Sequence, residues 1–200
     1  ANEFKIPCIG GKVSLYNETP SGPIKPTPLI GVLGLIDKKP LVSQKIQSGD
    51  NLVIIGDTKD ELGGSEYFEY IHKFIGGNCP TVDFKESKKN MKSVLDSIKQ
   101  QIPKSVHDCS KGGLAVAVAE LCMTNQIGCK VSLNKVPGEK LTDDRILFSE
   151  SHSRYLLTID EKNIKKLENI LKKNKVTFQI IGKFGGKKIH FANGTKSIIT

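Results

Sequence analysis

Residues 106–121 read VHDCSKGGLAVAVAEL, and this stretch decides the fold of the chain. A short strand, a polar loop and a glycine pair lead directly into a mostly apolar helix. The free backbone N–H groups and the positive dipole end of that helix start lie beside His107, Asp108 and Ser110. The pattern therefore predicts a strand–turn–helix corner that suits a phosphate or another anion.

Two other stretches carry related chemistry. Residues 10–14 (GGKVS) combine two glycines, a cation and a hydroxyl, as a phosphate-binding turn requires, although the spacing is not that of a P-loop. Residues 149–152 (SESH) place four polar side chains before a strand. The pattern fits either a solvated loop or a binding site. Glu150 suits a metal or an amide, and His152 is of the residue type that commonly exchanges protons in binding sites.

The remaining pattern mixes strands and helices without strict alternation. The predicted strands are 29–36, 51–56, 105–108, 130–133 and 154–159, with a closing hairpin of 176–184 and 188–191. The predicted helices are 65–74, 86–102, 112–123 and 161–174. The first follows a tight turn and has Ser65 as its cap, and the second has an apolar stripe that includes Met91 and Leu95. This mixture indicates an α+β fold with a mixed sheet flanked by helices.

The N-terminal region differs from the rest in composition. Four prolines within residues 17–28 exclude a long helix there. We expect residues 1–28 to hold the tail of an upstream domain and a linker, and residues 29–200 to form the α/β domain. Since the chain starts with Ala1 and carries a motif close to that end, we expect a piece of a longer protein. Simple loss of an initiator Met is the alternative.

Composition limits the class of protein. The chain has 200 residues, of which 38% are apolar, enough for a buried core. No apolar run reaches the ~18 residues of a membrane span, and no signal peptide is recognisable. Five cysteines form no CxxC motif or disulfide framework, so we expect reduced thiols in a cytoplasm. The formal charge of +9 is almost entirely Lys, which indicates a solvated surface rather than a nucleic-acid face.

Five segments together resemble the synthetase subunits of phosphoribosylformylglycinamidine synthase. They occur in the expected order between about residue 6 and about residue 185: IPCIGGKVSLYNET, GPIKPTPLIGVLGLI, LGGSEY, VHDCSKGGLAVAVAEL and LFSESHSRYLLTI. The resemblance implies that residues 1–28 are the tail of an ATP-binding domain. It also implies that residues 29–200 resemble the C-terminal domain of aminoimidazole ribonucleotide synthetase.

The resemblance implies an activity for the complete enzyme. That enzyme is an ATP-dependent carbon–nitrogen ligase of purine biosynthesis, which uses ATP, Mg²⁺ and glutamine-derived ammonia to convert formylglycinamide ribonucleotide to the amidine. The expected partners are the N-terminal half of the same chain, a glutaminase subunit and a small bridging subunit, with no nucleic acid and no membrane. Alone, this chain is expected to be folded but inactive.

The resemblance also implies roles for individual residues. Gly11 contacts the nucleotide, position 12 is a metal position and Ser14 contacts the substrate. The family often has Asn where this chain has Lys12, and a charged Lys does not ligate a metal. Lys12 therefore contacts phosphate directly, or the magnesium is held otherwise. No residue here is assigned as catalytic, and the remaining residues form an auxiliary, mainly structural pocket: His107, Asp108, Ser110, Gly112, Gly113, Glu150 and His152.

Two alternative functions stay open. One is another ATP-dependent enzyme of the same superfamily, such as aminoimidazole ribonucleotide synthetase or a selenophosphate synthetase-like protein. The segment VSLYNE at residues 13–18 argues against that alternative. The other is a non-catalytic anion-binding module.

Overall fold

The computed structural model describes residues 1–36 and 42–199 of the chain. The chain divides into two units, Ala1–Lys39 and Pro40–Thr200. None of the helices in the described ranges is long and apolar enough to cross a membrane.

The first unit has little regular structure. A 3-10 turn covers Asn2–Phe4, and two very short strands, β1 (Glu18–Thr19) and β2 (Gly22–Pro23), pair antiparallel. Residues 5–17 and 24–36 form neither helix nor strand, and residues 17–28 hold no long helix, as the prolines predict.

The buried strand predicted over residues 29–36 was wrong. These residues form no strand, and their large apolar side chains are exposed, from 72% at Val32 to 97% at Leu29. A strand needs a neighbouring strand to satisfy its backbone N–H and C=O groups. This segment makes no such pairing, so its apolar composition alone does not produce a strand.

The second unit is a mixed sheet with helices on both faces. Its strands are β3 (Asn51–Ile55), β4 (Ser105–Asp108), β5 (Cys129–Ser132), β6 (Tyr155–Ile159), β7 (Phe178–Phe184), β8 (Ile189–Asn193) and β9 (Lys196–Ile199). Its helices are α1 (Glu66–Tyr70), α2 (Phe84–Lys99), α3 (Gly113–Asn125), α4 (Asp143–Phe148) and α5 (Ile164–Lys173). The strand order is β4-β6-β3-β7-β5-β8-β9, and neighbours are antiparallel except β5 and β8. The predicted α+β fold is confirmed.

The central strand β3 explains why the sheet needs helices on both sides. Leu52 and Ile54 pack in one core with the apolar faces of α3 and α4. Val53 and Ile55 pack in a second core with α2 and α5. A strand buried on both faces carries a continuous apolar run, which is what NLVII shows.

The predicted hairpin of residues 176–184 and 188–191 was wrong. Strand β5 lies between β7 and β8, antiparallel to the first and parallel to the second. Gly128 permits this arrangement, because a Cβ there would lie 2.2 Å from the Lys188 carbonyl oxygen. The hairpin that closes the sheet joins β8 to β9 instead, through Gly194 in the left-handed region (φ +60°).

The side of α2 predicted to be buried was also partly wrong. Met91 and Leu95 are 45% and 49% exposed. The buried face carries polar side chains instead: Ser87, Asn90, Ser93 and Ser97, together with Val94. Some of them bond to neighbouring elements: the Asn90 amide donates to the Ser153 carbonyl oxygen at 3.0 Å, and the Ser93 hydroxyl accepts from the Asn174 amide at 2.9 Å. The Ser93 and Ser97 hydroxyls donate to carbonyl oxygens of α2 itself. Hydrogen bonding therefore sets the orientation of this helix where the apolar pattern predicts another.

Candidate functional site

Several of the predicted polar residues meet around one cavity of about 370 Å³ at the end of β4 and the start of β6. The loops at residues 108–111 and 150–155 supply most of its wall. Of the predicted residues, the structure brings together Asp108, Ser110, Glu150 and His152. Residues that were not predicted also line it: Pro80, Cys109, Lys111, Ser153, Arg154 and Tyr155.

The glycine pair shapes the start of α3 beside this cavity. Gly112 and Gly113 both adopt left-handed backbone conformations, with φ of +76° and +64°. A Cβ at Gly113 would lie 2.5 Å from the Ser149 carbonyl oxygen. The glycine pair is therefore required by both conformation and space, since the 149–154 loop packs against the helix start.

The amide groups at this corner are already bonded within the chain. The Gly113 N–H donates to the Ser110 carbonyl oxygen at 3.1 Å. The Gly112 N–H donates to Glu150 Oε1 at 2.9 Å. The corner predicted to take an anion thus contains a carboxylate of the protein itself.

Glu150 joins three separate segments. Its Oε1 also accepts from the Glu66 N–H at 3.1 Å, at the start of α1. Its own N–H donates to the Glu61 carbonyl oxygen at 2.9 Å. The tight turn predicted before α1 lies at residues 63–64. Ser65 caps the helix, as predicted, by accepting from the Phe68 N–H at 3.3 Å. Glu150 therefore ties the starts of two helices to one loop.

A lysine next to the cavity completes this network. The Lys111 ammonium donates to Glu66 Oε1 at 2.6 Å. That hydrogen bond and the nearby carboxylates raise the pKa of Lys111 above its usual range. Because the Lys111 side chain is 82% exposed, water screens most of this attraction.

Arg154 anchors the loop and was missed by the sequence analysis. Its guanidinium, 1% exposed, donates to the carbonyl oxygens of Ser149 and Ser151 and to Thr58 Oγ1. Burial lowers the pKa of Arg154, which nonetheless stays a cation at neutral pH. The signal was present, since Arg154 is one of only two arginines in a chain rich in lysine.

Cys109, in the loop at residues 108–111, is structural. Cys109 is buried, its N–H donates to the Arg154 carbonyl oxygen at 3.0 Å, and burial raises its pKa to about 11. A thiol with such a pKa is protonated at neutral pH and is a poor nucleophile. All five cysteines are free thiols in this structure.

His107 lies apart from the cavity wall. Its Nε2 lies 3.3 Å from Glu120 Oε2 on α3, and its Nδ1 lies 2.7 Å from the Asp108 carbonyl oxygen. The side chains of His107 and Asp108, neighbours on β4, therefore have different surroundings.

The predicted nucleotide, metal and substrate positions lie in the first unit. Gly11, Lys12 and Ser14 are exposed in a segment without regular structure. The Asn17 amide donates to the Ser14 carbonyl oxygen at 2.7 Å. Within residues 1–36 and 42–199 there is no group of three or more His, Cys, Asp or Glu side chains suited to a metal ion.

Comparison with known protein families gives a match over most of the chain. Residues 47–193 match the family described as AIR synthase related protein, C-terminal domain. A curated relative, phosphoribosylformylglycinamidine synthase subunit PurL of Methanocaldococcus jannaschii, is 41% identical over 207 aligned residues. The alignment covers 100% of this chain and 28% of the relative.

Solved structures give the same fold. PurL of Thermotoga maritima complexed with FGAR has a TM-score of 0.71 at 18% identity, covering 78% of this chain and 27% of that chain. The T. maritima protein complexed with ATP has a TM-score of 0.65 at 20% identity, covering 80% and 26%. At these identities the likeness establishes the fold, and the predicted likeness to an aminoimidazole ribonucleotide synthetase C-terminal domain is confirmed.

Proposed function

The chain belongs to the family of AIR synthase related proteins, and we propose that it is the C-terminal part of a synthetase that makes formylglycinamidine ribonucleotide. The observation that carries this proposal is 41% identity, along the whole chain, to a PurL subunit of phosphoribosylformylglycinamidine synthase. Because the chain spans 28% of that relative, the activity is assigned to a longer protein. The 200-residue chain alone is proposed to be folded and inactive.

The proposed reaction is an ATP-dependent ligation in the cytoplasm. ATP transfers its terminal phosphoryl group to the formamide oxygen of formylglycinamide ribonucleotide, and ADP leaves. Ammonia then attacks the activated carbon, the carbon–oxygen bond breaks, and phosphate leaves. The ammonia is proposed to come from glutamine through a glutaminase subunit, with a small bridging subunit as a further partner.

The first unit is proposed to contribute to the catalytic site of the longer protein. Gly11 allows backbone to approach the nucleotide, and the Ser14 hydroxyl binds the ribonucleotide. Magnesium supplies charge neutralisation to the phosphates when it is bound. The described residues do not fit a magnesium site, since Lys12 stands at the metal position and no cluster of acidic or His ligands accompanies it. Lys12 is therefore proposed to contact phosphate oxygens directly.

Lys12→Ala in the complete protein is expected to lower kcat/KM by the equivalent of about 1–3 kcal/mol, the usual value of a charge-assisted hydrogen bond. Lys12→Arg keeps the cation and is expected to retain more activity. Lys5→Ala removes another exposed cation of the same unit and serves as the control. Steady-state ADP release measures all three, and unchanged kinetics for Lys12→Ala would rule out the phosphate contact.

The pocket in the second unit is proposed to be auxiliary. Asp108, Ser110, Glu150 and His152 line it, but Glu150 is bonded to the starts of two helices and is not free to bind substrate. The glycine pair is proposed to shape its wall, and His107, which lies apart from the wall, is proposed to be structural. No catalytic step is assigned to these residues.

The test is an ADP-release assay on the complete protein with magnesium, ATP, ammonium and one candidate substrate at a time. Formylglycinamide ribonucleotide is expected to support ADP release. Formylglycinamidine ribonucleotide, the substrate expected of an aminoimidazole ribonucleotide synthetase, and selenide are expected not to. ADP release with formylglycinamidine ribonucleotide or selenide, and none with formylglycinamide ribonucleotide, would assign the protein to another reaction of the superfamily.

A further inference from the structure

The carboxylate of Glu150 accepts hydrogen bonds from backbone N–H groups at the starts of two helices. Its Oε1 accepts two backbone N–H groups, from Gly112 at 2.9 Å and Glu66 at 3.1 Å. Backbone N–H groups that converge in this way at glycine-rich helix starts bind exogenous anions in many proteins. Here the anion belongs to the chain.

The surroundings of this carboxylate have both signs of charge. Arg154, buried behind the loop, and Lys111 bring two cations to the cavity wall. Asp108, which is exposed, and Glu150 bring two anions to the same wall. A phosphate entering the cavity would therefore meet the repulsion of both carboxylates and would find the two amides already bonded.

The backbone holds Glu150 in this position. Its N–H donates to the Glu61 carbonyl oxygen, and the neighbouring hydroxyls of Ser149 and Ser151 accept from the N–H groups of Glu61 and Lys59 at 3.3 and 3.0 Å. Because these hydrogen bonds lie on both sides of Glu150, they fix the backbone from which its side chain extends to the two helix starts. We propose that Glu150 is a resident anion, which keeps inorganic phosphate and phosphorylated ligands out of this pocket.

The experiment is a phosphate titration of the full 200-residue chain, followed by the NMR amide signals of Gly112 and Glu66. In the wild type these signals are expected to show no saturable change. In Glu150→Ala they are expected to shift saturably, with phosphate affinity raised about tenfold or more, the equivalent of one charge-assisted hydrogen bond. The Gly11 amide reports any separate binding in the first unit.

Two further variants make the result decisive. Glu150→Gln keeps an acceptor oxygen but removes the charge, so its phosphate affinity is expected to lie between those of the wild type and Glu150→Ala. If Glu150→Ala does not fold, Glu150→Gln alone decides, because it must bind phosphate more tightly than the wild type. Glu139→Ala changes the net charge equally at an exposed position outside the cavity wall and is expected to behave as the wild type.

Two outcomes would overturn the proposal. One is saturable binding of phosphate at Gly112 and Glu66 in the wild type. The other is a folded Glu150→Ala, or in its absence a folded Glu150→Gln, that binds phosphate no better than the wild type. The readout is binding to this chain alone, so it stands apart from the ADP release that tests the proposed reaction.

Discussion

Gly113→Ala is expected to destabilise the chain by about 3–4 kcal/mol, the largest effect predicted here for a change of one methyl group. The left-handed backbone at φ +64° costs an alanine about 1 kcal/mol. The added Cβ would lie 2.5 Å from the Ser149 carbonyl oxygen and 2.9 Å from that of Leu147. Both are backbone atoms, so relief requires the end of α4 and the loop that follows it to move. Urea unfolding followed by circular dichroism measures the difference in free energy.

Gly194→Ala is the matched control for that change. Gly194 has φ +60°, nearly the same conformation, but a Cβ there would meet no atom within 4 Å. We expect a loss of about 1 kcal/mol, from conformation alone. Equal losses in the two variants would contradict the close packing of the loop on α3.

Lys104→Met is expected to cost about 2–3 kcal/mol of the free energy of unfolding. The Lys104 ammonium donates to Asp50 at 2.8 Å, to Asp160 at 2.6 Å and to Gln47 Oε1 at 3.1 Å. Asp50 is 4% exposed, so the methionine leaves a nearly buried carboxylate without its cation. The partial exposure of Lys104 keeps the cost below that of a fully buried pair.

The same cluster predicts how this cost varies with pH. Burial opposes the charge of Lys104, but the hydrogen bonds to Asp160 and Asp50 outweigh it and raise the Lys104 pKa. The hydrogen bond from Lys104 lowers the pKa of Asp160. The stabilisation is therefore complete between the ordinary carboxyl and lysine pKa values. It is lost in acid as pH falls through the lowered pKa of Asp160, and in alkali as pH rises through the raised pKa of Lys104.

Urea unfolding at several pH values measures both the stability cost of Lys104→Met and its dependence on pH. The difference between wild type and Lys104→Met is expected to be constant near neutrality and to shrink at both extremes. Lys92→Met breaks the pair between an exposed lysine and the half-buried Asp96 on one helix face and is expected to cost about 0.5 kcal/mol or less. A Lys104→Met loss no larger than that of Lys92→Met would contradict the role of the cluster.

Sequence patterns predict those helices, strands and turns that depend mainly on neighbouring residues in the chain. The doubly buried run of β3 and the glycine pair before α3 are examples, because each pattern has one common structural solution. The position of β5 between β7 and β8 is different. It depends on pairing between strands far apart in sequence, which no local pattern encodes. Helix α4, six residues long, was missed because it is too short to show a period.

The candidate site also has features that the sequence predicts and features that only the fold determines. The sequence indicates that Asp108, Ser110, Glu150 and His152 are polar residues at strand ends, and the structure places them around one cavity. The partners of Glu150 are 38 and 84 residues away, at Gly112 and Glu66. Only the fold brings these amides to one carboxylate, so the sequence predicts an anion corner but not the anion that fills it.

The most direct test of the proposed function compares ADP release by the complete protein with release by the 200-residue chain alone. Each is supplied with formylglycinamide ribonucleotide, ATP, magnesium and ammonium. The account predicts ADP release that requires the ribonucleotide in the complete protein, and none from the chain. Ribonucleotide-dependent release by the chain alone, or its absence in a folded complete protein, would contradict the assignment.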